Sequence, residues 1–291
     1  MTTSSNTAFM QRIRNTIPNL LTLGNLACGL VAIVLLMDRD MFREVPYVTI
    51  GLLMVGAMVF DFADGFVARA LKSTSAIGKE LDSLSDLVSF GVLPGLMVYT
   101  ILKVEVLEAS LPHAMGWNTL TLNAWAAILP YCGLLIPLFS AYRLAKFNVD
   151  TRQSYGFLGL PTPANALFFL SIFLMFMDRI YTPQATVPRR YYSHSDFHFT
   201  GFEVDMDPFS LLYNPWVLAA LTLIFSILLV TEIPLLAMKF KDYTWKGNWP
   251  RYVLILISVT LLAILWFRAI PLIIVLYFLF SFIDTRIHKK A

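Results

Sequence analysis

The sequence places four acidic residues within 26 positions of an otherwise apolar chain: Asp61, Asp64, Asp82 and Asp86. Residues three or four apart share one face of a helix, so each pair of aspartates predicts one acidic helix face. Turn-forming residues, KSTSAIG, lie between the two pairs and predict a short loop that joins two antiparallel helices. The four carboxylates are therefore expected to converge.

Carboxylates that converge in an apolar environment repel one another and lose hydration, so positive charge has to compensate. Arg69, Lys72 and Lys79 offer part of that charge. A cluster of oxygen ligands is also the ligand set of a hard divalent cation such as Mg²⁺, Mn²⁺ or Ca²⁺. Helix capping or structural pairing would explain a single aspartate, but four in register predict a divalent metal site.

Three small residues lie beside the acids: Gly65, Ala68 and Gly78. They remove side-chain bulk where the carboxylates converge, so that a phosphate group can reach a bound cation. Close packing of the two helices is the alternative explanation. Arg69 follows Ala68 and is suited to binding a phosphate or a carboxylate.

The composition indicates a membrane protein. Of the 291 residues, 57% are hydrophobic and 14% are charged, and the mean hydropathy of +0.67 excludes an ordinary soluble domain. A helix needs about 20 apolar residues to span the hydrocarbon core. Eight stretches meet this need, at roughly 17–37, 46–71, 84–102, 123–142, 161–178, 214–237, 251–267 and 269–284. We predict an all-α, polytopic membrane bundle of about eight transmembrane helices, with a tight hairpin at Arg268.

Basic residues set the predicted orientation, because cytoplasmic loops carry an excess of Lys and Arg. With the N-terminus inside, fifteen Lys and Arg residues fall on the inner side and seven on the outer side. Both termini are therefore predicted to be cytoplasmic, with the acidic cluster near the inner edge of the membrane. The net charge of +3 is too small to favour nucleic acid, and the basic residues are expected to meet anionic lipid headgroups.

The predicted organisation has three parts: an N-terminal interfacial segment at 1–16, one membrane domain at 17–284 and a cytoplasmic tail at 285–291. The membrane domain carries an aromatic and acidic outer insert at about 182–213. Two other kinds of polar residue lie within the predicted spans.

Asn19, Thr22 and Asn25 form a polar stripe in the first span. This stripe faces a nucleotide cleft or bonds to a neighbouring helix, and the spacing leaves both possibilities open. Glu232, before Pro234 in the sixth span, is an isolated acid for which the sequence indicates no partner.

The acidic stretch DFADGFVARALKSTSAIGKELDSLSD resembles the D-x2-D-G-x2-A-R-x8-G-x3-D-x3-D signature of the CDP-alcohol phosphotransferases at all eight fixed positions. Four further segments are similar to one branch of that family, the bacterial integral-membrane phosphatidylserine synthases: IPNLLTLGNLACG, LDSLSDLVSFGVLPG, RLAKFNVD and FLGLPTPANA. The resemblance covers about the first 170 residues and implies a six-helix catalytic core. The outer insert has no counterpart in it.

The resemblance implies a reaction and assigns roles to residues. An alcohol, L-serine in this branch, attacks the diacylglycerol-side phosphate of CDP-diacylglycerol, and CMP leaves. Two divalent ions, Mg²⁺ or Mn²⁺, and a general base assist this attack. The implied metal ligands are Asp61, Asp64, Asp82 and Asp86, of which Asp86 is also the base. The implied CDP-diacylglycerol site consists of Gly65, Ala68, Arg69 and Gly78. The resemblance further implies a bacterial inner-membrane location and a homodimer.

The acceptor site is predicted separately, on the inner side after the fourth span. Arg143, Lys146 and Asn148 lie there, and a guanidinium can pair with the carboxylate of serine. The alternative is that these residues are only a positive-inside flank.

Two other functions remain open from the residues alone. The same chemistry with glycerol 3-phosphate or inositol phosphate as acceptor would need more basic residues around the site. An ion-coupled transporter would place its acids near the membrane midplane, often within repeated halves. The sequence instead clusters them on one side and contains no repeat.

Overall fold

The computed structural model describes residues 2–38, 46–72, 76–114, 127–149, 159–181, 209–233, 235–236 and 245–288. Within these ranges the chain is helical and forms no strand. The α-helices are α1 (Thr2–Met37), α2 (Val48–Ala70), α3 (Ala76–Asp86), α4 (Leu93–Ala114), α5 (Leu135–Val149), α6 (Thr162–Tyr181), α7 (Pro215–Val230), α8 (Trp245–Leu265) and α9 (Ile270–His288).

The all-α membrane class is confirmed, and helices occupy all eight of the predicted apolar stretches. Five stretches of the described chain are long and apolar enough to cross a membrane: Thr16–Met37, Val48–Ala70, Ala76–Val106, Thr162–Tyr181 and Asn248–Phe282. Helix α7 is apolar but shorter. The protein is therefore an integral membrane helix bundle.

Helices α2 and α3 carry the acidic stretch. Helix α2 ends after Arg69, where Leu71 and Lys72 close the last turn and Lys72 adopts the left-handed conformation, with φ of 49°. Helix α3 continues through a π-helical turn, Leu87–Val92, into α4 without a break. The acids of α3 thus lie at the start of one long membrane helix.

Helix α6 forms the centre of the bundle. Its apolar side chains are buried over almost its whole length, including Phe168, Phe169, Phe173 and Phe176. Phe168 stacks on Phe225 of α7, with ring centroids 3.9 Å apart. Large aromatic surfaces that are buried in this way dominate the packing energy of a core. Helix α6 is therefore the most deeply buried helix of the described bundle, whereas α2 and α3, which carry the acids, pack mainly against α1.

The last two helices form the hairpin that the sequence predicts at Arg268. Arg251 Nη2 on α8 lies 3.7 Å from Asp284 Oδ2 on α9, which requires the two helices to be antiparallel. The 3₁₀ turn Trp266–Ala269 connects them, and Trp266 takes a φ of 54°. Arg268 Nη2 in this turn pairs with Asp178 Oδ2 at the end of α6, at 2.6 Å.

Two predicted boundaries differ from the structure. Helix α1 runs unbroken from Thr2, so no break in the helix marks the predicted boundary at residue 16. Helix α7 ends at Val230 and Thr231 is extended, so Glu232, which the sequence places within the sixth span, lies outside the helix. Most of the predicted insert, 182–208, lies outside the described residues. The division into three parts remains a prediction.

Two glycines, Gly95 and Gly133, allow α4 to approach the 3₁₀ turn Leu129–Leu134, which precedes α5. A Cβ atom at Gly133 would lie 2.5 Å from the carbonyl oxygen of Gly95 and 2.9 Å from the backbone nitrogen of Tyr99. Both contacts are with backbone, which cannot rotate away. We expect Gly133→Ala to lower the free energy of unfolding by about 1–3 kcal/mol, the usual cost of overpacking.

Gly56→Ala is the matched control, because a Cβ atom there would meet only Cys28 Sγ, at an ordinary 3.7 Å. Thermal unfolding of the two variants in detergent measures the difference. Equal unfolding temperatures would contradict this packing of α4 against the turn.

Candidate active site

Helices α2 and α3 bring three of the four predicted carboxylates together. Asp61, Asp64 and Asp82 each place one oxygen within 4.8 Å of the others. Ligand oxygens on opposite sides of one Mg²⁺ or Ca²⁺ ion are separated by about 4–5 Å. The three oxygens are therefore spaced as ligands of one shared divalent cation would be.

The surroundings of the cluster also fit a cation. Asp82 Oδ1 is buried and has no hydrogen-bond partner in the described part of the chain. No Lys or Arg among the described residues lies within ion-pair distance of these three aspartates. A buried carboxylate oxygen without a partner is costly unless a cation binds it. The cluster could thus bind a metal ion.

Asp86 lies one turn beyond Asp82, at the end of α3. Its Oδ1 accepts a hydrogen bond of 3.1 Å from Asn25 Nδ2, and the carboxylate is close enough to Asp61 and Asp82 to interact with them electrostatically. It is not one of the three aspartates whose oxygens converge within 4.8 Å. Its predicted roles as base and as ligand of a second ion remain predictions.

Helix α1 supplies hydrogen bonds to the carboxylates. Thr22 Oγ1 lies 2.5 Å from Asp64 Oδ2 and 3.0 Å from the carbonyl oxygen of Pro18, and Asn25 binds Asp86. The hydroxyl of Ser89, in the π-helical turn, donates to the carbonyl oxygen of Asn25 at 3.1 Å. The polar stripe of α1, whose role the sequence left open, therefore orients two of the four acids.

The small residues of the signature lie around the same position. A Cβ atom at Gly65 would lie 3.5 Å from Arg69 Nη1, so the space left by this glycine accommodates the Arg69 guanidinium. Arg69 is exposed, whereas Ala68 and Gly78 are half-buried. Arg69 is thus accessible to a ligand beside the acids, and the binding roles of all four residues remain predictions.

The predicted acceptor residues diverge in the structure. Arg143 is half-buried and near Asp86, and its Nη1 donates to Thr162 Oγ1 at 3.3 Å. Lys146 Nζ instead pairs with Glu232 Oε1 at 2.8 Å. The sequence indicates no partner for Glu232, and the structure supplies one, because the chain leaves α7 before Glu232 and turns towards the end of α5.

Asn148 links α5 to α3. The side-chain Nδ2 of Asn148 donates to Ser83 Oγ at 2.9 Å. Its backbone carbonyl oxygen accepts a hydrogen bond from Lys79 Nζ at 2.8 Å. Lys79 is thus bound to α5 and forms no ion pair with the aspartates. These contacts give Asn148 and Lys146 structural partners that the sequence did not indicate.

Three further polar residues, Ser140 on α5 and Thr162 and Asn165 on α6, received no role from the sequence, although Thr162 and Asn165 lie in the segment FLGLPTPANA. Ser140 and Arg143 are three apart on α5, and Thr162 and Asn165 are three apart on α6. Ser140, Thr162 and Asn165 are buried. The signal that could have identified them is the equal spacing of polar residues in two apolar stretches.

The contact between Thr22 and Asp64 generates a testable prediction. We expect Thr22→Val to weaken Mn²⁺ binding by about 10- to 100-fold, because hydrogen bonds to a ligating carboxylate orient it. Titration of free Mn²⁺ by electron paramagnetic resonance on the purified protein measures this change.

Thr222→Val is the matched control, since Thr222 is also buried and its hydroxyl donates to the carbonyl oxygen of Leu218 within its own helix, at 2.7 Å. An unchanged affinity in Thr22→Val would show that Asp64 does not ligate the ion or does not need this bond.

Comparison with known proteins is consistent with this geometry. Residues 15–192, which include all four aspartates, match the family model described as CDP-alcohol phosphatidyltransferase. The chain is 32% identical over 169 residues to the CDP-diacylglycerol--serine O-phosphatidyltransferase of Bacillus subtilis, which is 58% of this chain and 78% of that protein.

Other relatives match over a smaller share of their own length. Identity to the protein of the same name from Helicobacter pylori is 32% over 166 residues, 56% of this chain and 59% of that protein. The archaetidylserine synthase of Methanothermobacter thermautotrophicus is 31% identical over 160 residues, 54% of this chain and 58% of that protein. On the extent of these matches, the chain belongs to the CDP-alcohol phosphatidyltransferase family.

Proposed function

We propose that this protein transfers the phosphatidyl group from CDP-diacylglycerol to L-serine, giving phosphatidylserine and CMP. The observation that carries the proposal is the convergence of Asp61, Asp64 and Asp82 within a family of CDP-alcohol phosphatidyltransferases. The names of the relatives from Bacillus and Helicobacter support serine as acceptor. A transporter built from two repeated halves has no support in this family match.

The chain's residues would divide the chemistry between them. Asp61, Asp64 and Asp82 would hold Mg²⁺ or Mn²⁺, and we propose two ions, with Asp86 as ligand of the second. When bound, the cations neutralise the pyrophosphate and stabilise the leaving phosphate. Gly65, Ala68, Arg69 and Gly78 would line the site for the nucleotide and its pyrophosphate, where the exposed guanidinium of Arg69 can bind a phosphate oxygen.

Asp86 would act as the general base. Its carboxylate accepts the proton of the serine hydroxyl while the hydroxyl oxygen attacks the diacylglycerol-side phosphorus, and the bond from phosphorus to the oxygen of CMP breaks. Asn25 donates to Asp86 Oδ1 and so holds the carboxylate in one orientation. Arg143, the cation proposed for the acceptor, interacts electrostatically with the same carboxylate.

The location follows from the chemistry of the donor lipid. CDP-diacylglycerol keeps its acyl chains in the membrane and its charged group at the surface, which fits acids near one end of the spans. We propose a bacterial inner membrane protein whose termini and active site face the cytoplasm, in accord with the excess of Lys and Arg on that side. A homodimer, implied by the family, is likewise proposed.

The activity is tested with membranes or purified protein supplied with CDP-diacylglycerol. We expect CMP release only when L-serine and Mg²⁺ or Mn²⁺ are both present, and chelation by EDTA should abolish it reversibly. Parallel assays contain glycerol 3-phosphate or inositol phosphate in place of serine. Turnover with one of these acceptors and none with serine would contradict the proposed acceptor while preserving the chemistry.

The base is tested by Asp86→Asn. We expect kcat to fall at least about 100-fold, the typical contribution of a general base, while CDP-diacylglycerol binding is largely preserved. Asp38→Asn, the same change beyond the C-terminal end of α1, is the control and should leave kcat unchanged. Normal turnover by Asp86→Asn would exclude Asp86 as the base.

A further inference from the structure

A polar cluster on α5 and α6 is joined by one hydrogen bond, and its Arg143 interacts electrostatically with the proposed base. It consists of Ser140 and Arg143 on α5 and Thr162 and Asn165 on α6. Arg143 Nη1 donates to Thr162 Oγ1 at 3.3 Å, and this bond joins the two helix faces. Residues three apart lie on one helix face, so Asn165 lies about one turn along α6 from Thr162, which accepts that bond.

The cluster contains more hydrogen-bonding groups than its own contacts satisfy. Asn165 is 0% exposed, and neither Nδ2 nor Oδ1 has a partner within the described residues. Ser140 Oγ and Arg143 Nε are also buried without a partner there. Folded proteins rarely leave such groups unpaired, because burial removes their bonds to water. A ligand that both donates and accepts hydrogen bonds would satisfy them.

The charges around the cluster define that ligand. Arg143 supplies a guanidinium, and Thr162 begins α6, whose N-terminal end carries a partial positive charge. Both favour a carboxylate. Lys146 is already paired with Glu232, so Arg143 is the cation that the described part of this cluster offers. A phosphorylated acceptor with two negative charges would be poorly neutralised, whereas the single carboxylate of an amino acid is matched.

We propose that Asn165 is a specificity-determining residue that binds the amino-acid end of the acceptor, an inference that rests on the proposed function. Its Nδ2 donates to the carboxylate that Arg143 also binds, and its Oδ1 accepts a hydrogen bond from the ammonium group. Ser140 Oγ is a second acceptor for the ammonium. This arrangement leaves the hydroxyl of serine towards Asp86, with which Arg143 interacts electrostatically.

The acceptor site therefore differs from the one that the sequence predicts. Arg143 is retained, but Lys146 and Asn148 bind Glu232 and Ser83 instead. Thr162 holds the guanidinium in place and acts as a positioning residue. The specificity for an amino acid is thus shared by Arg143 on α5 and Asn165 on α6.

The test is Asn165→Leu, which keeps the size of the side chain and removes its hydrogen bonds. We expect the KM for L-serine to rise at least about tenfold, with the KM for CDP-diacylglycerol unchanged, because one partner of a polar contact is lost. Asn248→Leu, the same change at another buried asparagine, on α8, should leave both KM values unchanged. An unchanged KM for serine in Asn165→Leu would overturn the inference.

Wild-type protein separates this inference from the proposed function. If wild-type protein shows no serine-dependent CMP release, the proposed function fails. If it shows this release but accepts ethanolamine, which lacks the carboxylate, as readily as serine, only the inference fails. The same comparison applies if Asn165→Leu does not fold. A thermal-shift titration, in which L-serine but not ethanolamine stabilises the wild-type protein, provides a readout independent of turnover.

Discussion

Mutual repulsion of the carboxylates is the constraint on which the rest of the structure depends. Asp61, Asp64 and Asp82 approach within 4.8 Å in a bundle whose interior is apolar, and the described chain brings no Lys or Arg to them. Charges at such distances interact strongly where water is scarce. Packing and hydrogen bonds from α1 hold this arrangement, and a cation bound by the acids would relieve the repulsion.

Helix α1 meets this constraint from one face. Thr22, Asn25 and Gly29 follow one another at helical spacing, so two of them donate to carboxylates and the third allows close approach. A Cβ atom at Gly29 would lie 3.1 Å from Ser89 Cα in the π-helical turn. The chain beyond the family match contacts the start of α6 and the end of α5, since Leu160 N donates to the carbonyl oxygen of Leu228 and Lys146 pairs with Glu232.

Local patterns predict the features that depend on local chemistry. The spacing of the aspartates predicts that they converge, and Arg268 between two apolar stretches predicts the hairpin. The sequence indicates no partner for Glu232, because the end of α7 depends on backbone bonds to Gly159 and Leu160, far away in the chain. The partners of Lys146 and Asn148, Glu232 and Ser83, likewise lie outside the helix that carries them. Residue spacing within one helix contains no information about which neighbour it meets.

The π-helical turn after Asp86 changes which residues of this long helix lie on the same face. A π turn closes its hydrogen bonds between residues five apart and takes in an additional residue, so the helix beyond it is rotated about its axis. The direction in which the acidic face of α3 points is therefore not set by the direction in which α4 packs. A helical wheel drawn across Leu87–Val92 would therefore assign the side chains of α4 to the wrong sector. The active-site half and the lipid-spanning half of one continuous helix can thus be optimised separately.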